Sequence, residues 1–403
     1  MTMPDLLGIV ADDLTGGAAI AGEIARNRGP EVQVVRLGHC EPDSDVPAVV
    51  ETTSRYIDAD ESAARVIAAR NLLQGRGFGL LMKKIDSTLK GNVATELAAF
   101  ASAAEGTLVI APACPAVSLS LRGGWQYRED SRGRNVVEML ASVLDAAPAL
   151  LPLEIVQRGR GAVADWLANE PAAVVLADSI DSADLHSVAA GARVQGVREF
   201  AGTYGLGAAL APSERGDSSA SAPRIGGRML VLAGSANSVT SAQIQQLIRG
   251  RADEIVMNVQ ALIDGDGGET VRVRAAAAAT RQSIVVVHTA ADATASSVAG
   301  RRRALGWSER DLAERLADPF LEALEAMPDA GVYFIGGETT GAICDRLGWH
   351  RFTVTDEVTD AVPLATEHSR QRPFVLTKPG AFGGPDDLCV AAERLIRRSD
   401  ALR

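Results

Sequence analysis

The sequence predicts an α/β protein of two domains, each with a mostly parallel sheet flanked by helices. Three observations point that way. Short apolar runs alternate with helical stretches and no hairpin dipeptide joins them, the pattern of a parallel sheet. Polar clusters, most carrying glycine, follow the runs, at the strand ends where such folds bind ligands. The composition breaks once, at Pro212 to Arg224, a Ser-, Gly-, Pro- and charge-rich stretch with no apolar periodicity. With 403 residues the chain is long for one core. We expect one domain over 1–211, a linker over 212–227 and a second domain over 228–403.

In order, Leu6-Leu7-Gly8-Ile9-Val10 reads as a strand, followed by Ala11-Asp12-Asp13-Leu14-Thr15-Gly16-Gly17. Ala18 to Arg28 is helical and stops near Gly29-Pro30. Adjacent Asp12 and Asp13 point in different directions. A helix N-cap plus a solvated carboxylate accounts for them as well as a hydroxyl-binding or metal-anchoring group does. Val32 to Leu37 and Val46 to Val50 are strands, the second ending in Glu51-Thr52-Thr53-Ser54-Arg55. Arg55 offers the fork that carboxylates favour, or a surface salt bridge.

After the helix Glu61 to Gln74, the strand Phe78-Gly79-Leu80-Leu81-Met82 leads into Lys83-Lys84-Ile85-Asp86-Ser87-Thr88-Leu89-Lys90-Gly91-Asn92. Helical spacing resumes from Val93 to Phe100. A capping role for Asp86 or Ser87 explains one residue of the ten. The lysines, hydroxyls and amide are better explained by a site for a small, oxygen-rich anion at a strand end and helix start.

Thr107 to Ala111 is another strand, followed by Pro112-Ala113-Cys114-Pro115. Ser118 to Arg134 reads as a long polar loop, of the kind that forms lids. Val136 to Leu144 is helical, Val174 to Ala177 a strand, and Asp184 to Ala192 and Thr203 to Leu210 are helical. Beyond the linker, Met229 to Ala233, Glu254 to Val259, Ser283 to His288, Gly331 to Ile335 and Phe374 to Thr377 are strands. Val239 to Arg249, Arg272 to Arg281, Leu312 to Met327 and Asp387 to Arg398 are helices. Three turns of this half carry glycine: Gly234-Ser235-Ala236-Asn237, Gly336-Gly337-Glu338-Thr339-Thr340-Gly341 and Lys378-Pro379-Gly380-Ala381-Phe382-Gly383. Glycine lets a backbone approach phosphates and Lys378 adds positive charge. Neither the phosphate-loop nor the dinucleotide fingerprint is present.

Forty basic against fifty-one acidic residues give a net charge of −11, which argues against nucleic acid or an anionic membrane as partner. No leader or membrane-length apolar run is seen. Cys40, Cys114, Cys344 and Cys389 lack metal-type or redox-type spacing and read as reduced thiols of a cytoplasmic protein. The five histidines are equally scattered, so the sequence makes no case for zinc.

Together, Ala11-Asp12-Asp13-Leu14-Thr15-Gly16, Thr53-Ser54-Arg55, the Lys83 to Asn92 stretch and Ala111-Pro112-Ala113-Cys114-Pro115-Ala116 resemble the N-terminal domain of the four-carbon acid sugar kinases. Gly205-Leu206 belongs to the same set. Gly234-Ser235, Thr240, Gln243, Gly336-Gly337-Glu338-Thr339 and Lys378-Pro379-Gly380-Ala381-Phe382-Gly383 resemble that family's nucleotide domain. Four departures stand out. Lys90 replaces an arginine, Ser118-Leu119-Ser120-Leu121-Arg122 replaces Gly-Arg-Thr-Thr, Glu338 an aspartate, and Pro379 a serine or threonine.

The resemblance implies ATP-dependent phosphorylation of threonate, erythronate or an oxo-tetronate at its terminal hydroxyl. An acid-sugar domain would face an ATP domain across an active-site cleft, and closure about the linker is expected. Asp12, Asp86 and Lys84 are the expected catalytic residues; either carboxylate can accept the proton. Asp13, Arg55, Lys83, Ser87, Thr88 and Asn92 are expected to bind the acid. Gly234, Ser235, Gly336, Gly337, Glu338, Thr339, Lys378, Gly380 and Gly383 are expected to bind ATP. Mg²⁺ is expected with the ATP phosphates, and few protein ligands need be dedicated to it. Partners are the sugar acid and ATP, with a homodimer left open. Two alternatives stand: a kinase-derived acid-binding or regulatory protein without ATP turnover, and a nucleotide-linked oxidoreductase.

Overall fold

The computed structural model describes residues 6–28, 31–211, 227–235, 237–249, 252–257, 271, 274–276, 278, 283–289, 305–367, 370–380 and 382–400. The chain divides into two compact units, Met1–Asp217 and Ser218–Arg403. The expected linker, apart from Gly227, lies outside the described residues, as do most of the Arg272 to Arg281 helix, Ala381 and the end of the Glu254 to Val259 strand.

The first unit begins with β1 (Leu7–Ala11), β2 (Val32–Arg36), β3 (Ala48–Glu51), β4 (Leu80–Lys84) and β5 (Leu108–Ala111). It continues through β6 (Leu119–Arg122), β7 (Trp125–Arg128), β8 (Ser131–Asn135), β9 (Ala149–Leu151), β10 (Val174–Ala177) and β11 (Glu199–Gly202). The main sheet runs β2-β3-β1-β4-β11-β5-β10-β9, with every pairing parallel. These strands are continuous apolar runs because helices cover both faces. One face packs Val10, Val50, Leu81 and Ile110 against Val93, Leu97 and Phe100 of the helix Val93–Ser102.

Topology places the site. From β1 the chain fills positions on one side with β2 and β3, then crosses back to β4 on the other. That reversal opens a crevice at the carboxyl ends of β1 and β4. Ala11 lies opposite both Glu51 and Lys84, and Gly202 opposite both Lys84 and Ala111. The loops after β3, β1, β4, β11 and β5 therefore leave the sheet at one level.

One expectation fails here. Ser118 to Arg134 is not a loop: β6, β7 and β8 form a three-stranded antiparallel sheet. Leu119, Ser120 and Leu121 of β6 are all buried. Gly123-Gly124 is the hairpin dipeptide that went unrecognised, with φ +57° and +75°. The unit also contains β9, β11 and the helices Leu153–Val156 and Arg160–Asn169, none of which was expected.

The second unit contains β12 (Met229–Ala233), β13 (Asp253–Met257), β14 (Ile284–Thr289), β15 (Gly331–Ile335), β16 (Arg351–Glu357), β17 (Pro363–Glu367) and β18 (Arg370–Val375). Their order is β13-β14-β12-β15-β18-β17-β16; the first four pairings are parallel and the last two antiparallel. The antiparallel β16 and β17 escaped the sequence reading, which found only the end of β18. Among the described residues no helix is long and apolar enough to cross a membrane.

Candidate active site

Asp12 and Asp13 follow β1 and open the helix Leu14–Arg28. Capping falls to Asp13, whose Oδ1 accepts the Gly16 amide at 2.9 Å. Arg55 comes from the loop after β3 and binds both carboxylates. Its Nε donates to Asp12 Oδ2 at 2.7 Å, while Nη1 and Nη2 donate to Asp13 Oδ2 and Oδ1 at 2.8 Å each. Nη2 also lies 3.6 Å from Asp86 Oδ1. Gly91 permits this packing, because a Cβ there would sit 2.6 Å from Arg55 Cγ.

The electrostatics separate the three carboxyl groups. Burial raises Asp12, but Arg55, Lys83 and Lys84 outweigh it and hold the group well below the carboxylate range. Burial wins at Asp13, reinforced by the Asp12 charge, and lifts it despite Arg55. At Asp86, burial is overcome by Arg55, by the Thr88 hydroxyl, by the Lys90 amide and by Lys84, so that group is lowered. Asp12 is thus ionised, and its buried Oδ1 has no hydrogen-bond partner. A buried, charged, unpartnered oxygen is costly unless a ligand supplies a donor.

Lys83 and Lys84 end β4 on opposite faces, as neighbours in a strand must. Lys84 points towards the helix Leu14–Arg28; a Cβ on Gly16 would lie 3.0 Å from its Nζ. That ammonium also donates to Ile85 O at 2.6 Å. An ammonium beside a helix N-terminus is a place for a carboxylate. Lys83 instead points into the core, fully buried, 2.9 Å from Glu96 Oε2 and 2.7 Å from its neighbour's carbonyl, Lys84 O. Glu96 also accepts from Ser54 and Ser62.

Several residues expected to bind the acid make contacts within the protein. Lys83 is a buried structural ion pair. Both Asp13 oxygens are taken by Arg55 and the helix end. The Asn92 amide donates to Ser54 O at 3.0 Å and Ile57 O at 2.9 Å, tying the Arg55 loop to the next helix. The Thr88 hydroxyl and amide both donate to Asp86 Oδ2, at 2.6 and 2.9 Å, so that oxygen closes its own turn. Ser87 contributes its carbonyl to Gln126 Nε2 of β7 at 2.8 Å. Asp12, Lys84, Arg55 and Asp86 Oδ1 are brought together.

Glu96 and Gln126 escaped sequence reasoning. Glu96 was findable, because it occupies the same helical stripe as Val93, Leu97 and Phe100. A carboxylate on an apolar stripe needs a buried cation. Gln126 gave no such signal.

In the second unit the three glycine turns pack on one another at the carboxyl ends of β12, β15 and β18. Gly234 N donates to Ile335 O at 3.1 Å, and Gly336 N to Lys378 O at 3.2 Å. The Thr240 hydroxyl reaches Gly380 O at 3.0 Å, and Gln243 holds Phe382 O and Gly384 O. Glycine is required at two places. A Cβ on Gly234 would lie 2.1 Å from Thr339 Oγ1, and one on Gly380 2.4 Å from Ser235 Oγ. Gly336, at φ +106°, and Gly337 open the helix Gly337–Leu347, with Glu338 in its first turn. Gly383 sits at φ +87°, and a Cβ there would collide with the Asp387 carboxylate. Lys378 is buried, donates to Pro379 O at 3.0 Å, and is pushed by burial down to about 8 against the pull of Asp387.

Residues 7–133 match a sugar-binding N-terminal domain and residues 230–388 a nucleotide-binding C-terminal domain. A 3-oxo-tetronate kinase of Methylobacterium radiotolerans is 30% identical over 94% of this chain and 97% of its own. A D-threonate kinase of Bordetella bronchiseptica is 31% identical over 97% of this chain and 98% of its own. The chain belongs to the four-carbon acid sugar kinase family. In three dimensions, the crystal structure of a Haemophilus influenzae protein matches this fold with a TM-score of 0.73 at 19% identity. The match covers 96% of this chain and 100% of that one. The family's two domains fall one on each unit, the sugar-binding match on the Asp12–Arg55–Lys84 crevice and the nucleotide-binding match on the glycine turns.

Proposed function

We propose that the protein transfers the γ-phosphoryl group of ATP to the terminal hydroxyl of a four-carbon sugar acid. The observation that carries this reading is the orphaned Oδ1 of Asp12, buried beside Arg55 and Lys84. A sugar-acid hydroxyl is the donor it lacks, and the Lys84 ammonium with the adjacent helix end suits the acid's carboxylate. The relatives' names, 3-oxo-tetronate kinase and D-threonate kinase, support the same substrate class.

The cations beside Asp12 lower its carboxyl and keep it a hydrogen-bond acceptor. Its role is to accept the hydroxyl's hydrogen bond and aim its oxygen. Phosphoryl transfer through a loose transition state needs positioning and cations more than a strong base. Arg55 holds Asp12 in place and Asp86 Oδ1 completes the polar wall.

ATP would supply the phosphoryl group, with ADP as the leaving group, and Mg²⁺ would supply positive charge to offset that of the phosphates. The Gly234 and Gly380 turns pack closely on Thr339 and Ser235, which gathers backbone N–H groups of the three turns at one strand end, where phosphates are suited to bind. Lys378 supplies a cation there. Among the described residues no group of three His, Cys, Asp or Glu could hold a metal.

The test is ADP release with Mg²⁺-ATP and a panel of acids: threonate, erythronate and 3-oxo-tetronate, with glycerate and gluconate as controls. Release dependent on a four-carbon acid supports the proposal. ADP release with none of them, or equal release with the controls, overturns it.

A further inference from the structure

Beside Arg55 lies a second buried ion pair that the proposed chemistry does not use. Arg36 ends β2 and Glu51 ends β3, opposite each other in register and both buried. Arg36 Nε donates to Glu51 Oε2 at 3.1 Å. Glu51 in turn gathers in Thr53. Its Oε1 accepts the Thr53 amide at 2.6 Å and the Thr53 hydroxyl at 2.9 Å, and Oε2 lies 3.1 Å from that hydroxyl. Arg36 Nη2 reaches the same hydroxyl at 3.3 Å. From the helix Ala59–Gly75, Arg65 Nη1 donates to Thr52 O at 3.1 Å and Thr53 O at 3.4 Å.

The residue so held is strained. Thr53 has φ +50°, the left-handed region, which a β-branched side chain rarely enters unless its surroundings impose it. The turn made there decides where the next residues go. Ser54 N donates to Asp12 O at 2.9 Å, and Arg55 then meets Asp12 and Asp13. An extended residue at 53 would carry Arg55 away from both carboxylates.

We propose that the Arg36–Glu51 pair is a positioning device for Arg55. It forces Thr53 into the left-handed turn and so sets the geometry around Asp12. Neither Arg36 nor Glu51 touches substrate; both act through Thr53. A buried ion pair is a poor choice for stability alone, since apolar replacements often serve as well. The kinetic side of this inference rests on the kinase reading above; the structural side does not.

The experiment compares wild type with Glu51→Gln, Thr53→Val and the double variant Glu51→Gln/Thr53→Gly. It reads amide hydrogen exchange at Ser54 together with KM for the acid and for ATP. Both single variants should speed Ser54 exchange about tenfold or more. They should raise the acid KM about tenfold or more with the ATP KM unchanged. Thr53→Gly should restore both readouts to within about threefold in the double variant, because glycine takes this φ without a clamp. Unchanged Ser54 exchange in the single variants, or no recovery in the double variant, overturns the proposal. If Glu51→Gln does not fold, Thr53→Val against Thr53→Gly decides: impairment in valine alone supports the device, and equal behaviour refutes it. If wild type turns over no four-carbon acid, the kinase reading fails, and the exchange data alone decide the positioning role.

Discussion

Arg55 grips Asp13 through both terminal nitrogens at 2.8 Å each, and in doing so turns its third donor onto Asp12. The fork is why one arginine can serve two adjacent carboxylates. Arg55→Lys keeps the charge and loses this geometry. We expect it to cut kcat/KM for the acid about 100-fold, with the ATP KM unchanged. Arg55→Met takes from Asp12 and Asp13 their shared guanidinium and should cost about 3–5 kcal/mol in denaturant unfolding. Wild-type kinetics in Arg55→Lys would show that the fork is dispensable.

The two lysines of β4 should behave oppositely. Lys83→Met strands Glu96 in the core and should lower stability by about 3–5 kcal/mol. The double change Lys83→Met/Glu96→Leu should recover most of that loss and keep activity. Lys84→Met should melt like wild type and lose acid-dependent ADP release. A stable but inactive Lys83→Met/Glu96→Leu protein would return Lys83 to the substrate.

How much of this was legible follows from where the signals lie. The strand-to-helix turns were readable, because apolar runs and glycines mark them in a local window. The division between Lys83 and Lys84 was not. Adjacent strand residues face opposite sides, and only the pairing with β1 and β11 shows that Lys83 shares a face with Val10, Ala201 and Leu81. Arg55 is expected from the sequence to bind the acid, and that three of its donors go to Asp12 and Asp13 is set by a loop 42 and 43 residues away, outside any local window. The β6–β8 sheet was lost to a different cause. Its Gly123-Gly124 turn was present in the sequence, but the polar residues around it outweighed the alternation of Leu119, Leu121, Trp125 and Tyr127.

Lys378 gives a pH dependence with a definite sign. Its folded value, about 8, lies below the ordinary lysine value of 10.5. Between the two the unfolded chain holds a proton that the folded one lacks, so stability rises with pH across that window. The burial penalty is present in full below about 8 and gone above 10.5. Phosphate binding needs the charged form. ATP KM should therefore be flat below about 8 and rise above it, and ATP binding near pH 8 should take up a proton. Calorimetry in buffers of different ionisation enthalpy measures that uptake. Its absence would place Lys378 away from the phosphates.

Gly380 tests the nucleotide turns directly. A Cβ there would lie 2.4 Å from Ser235 Oγ and 3.2 Å from Asn237 Cβ. Gly380→Val should push the turns apart and raise the ATP KM about tenfold or more, leaving the acid KM within about twofold. An effect on the acid alone would assign this unit to the wrong ligand.

The central claim is that a phosphoryl group passes from ATP to the terminal hydroxyl of a four-carbon acid. Phosphorus NMR of a reaction with Mg²⁺-ATP and each acid reads this outcome without a coupling enzyme. The account predicts that ADP and a new phosphomonoester appear together in equal amounts, the ester signal split by both protons of a CH₂ group. A signal split by a single proton would put the phosphate on an inner hydroxyl. ADP with inorganic phosphate alone, or no ADP with any four-carbon acid, would contradict the account.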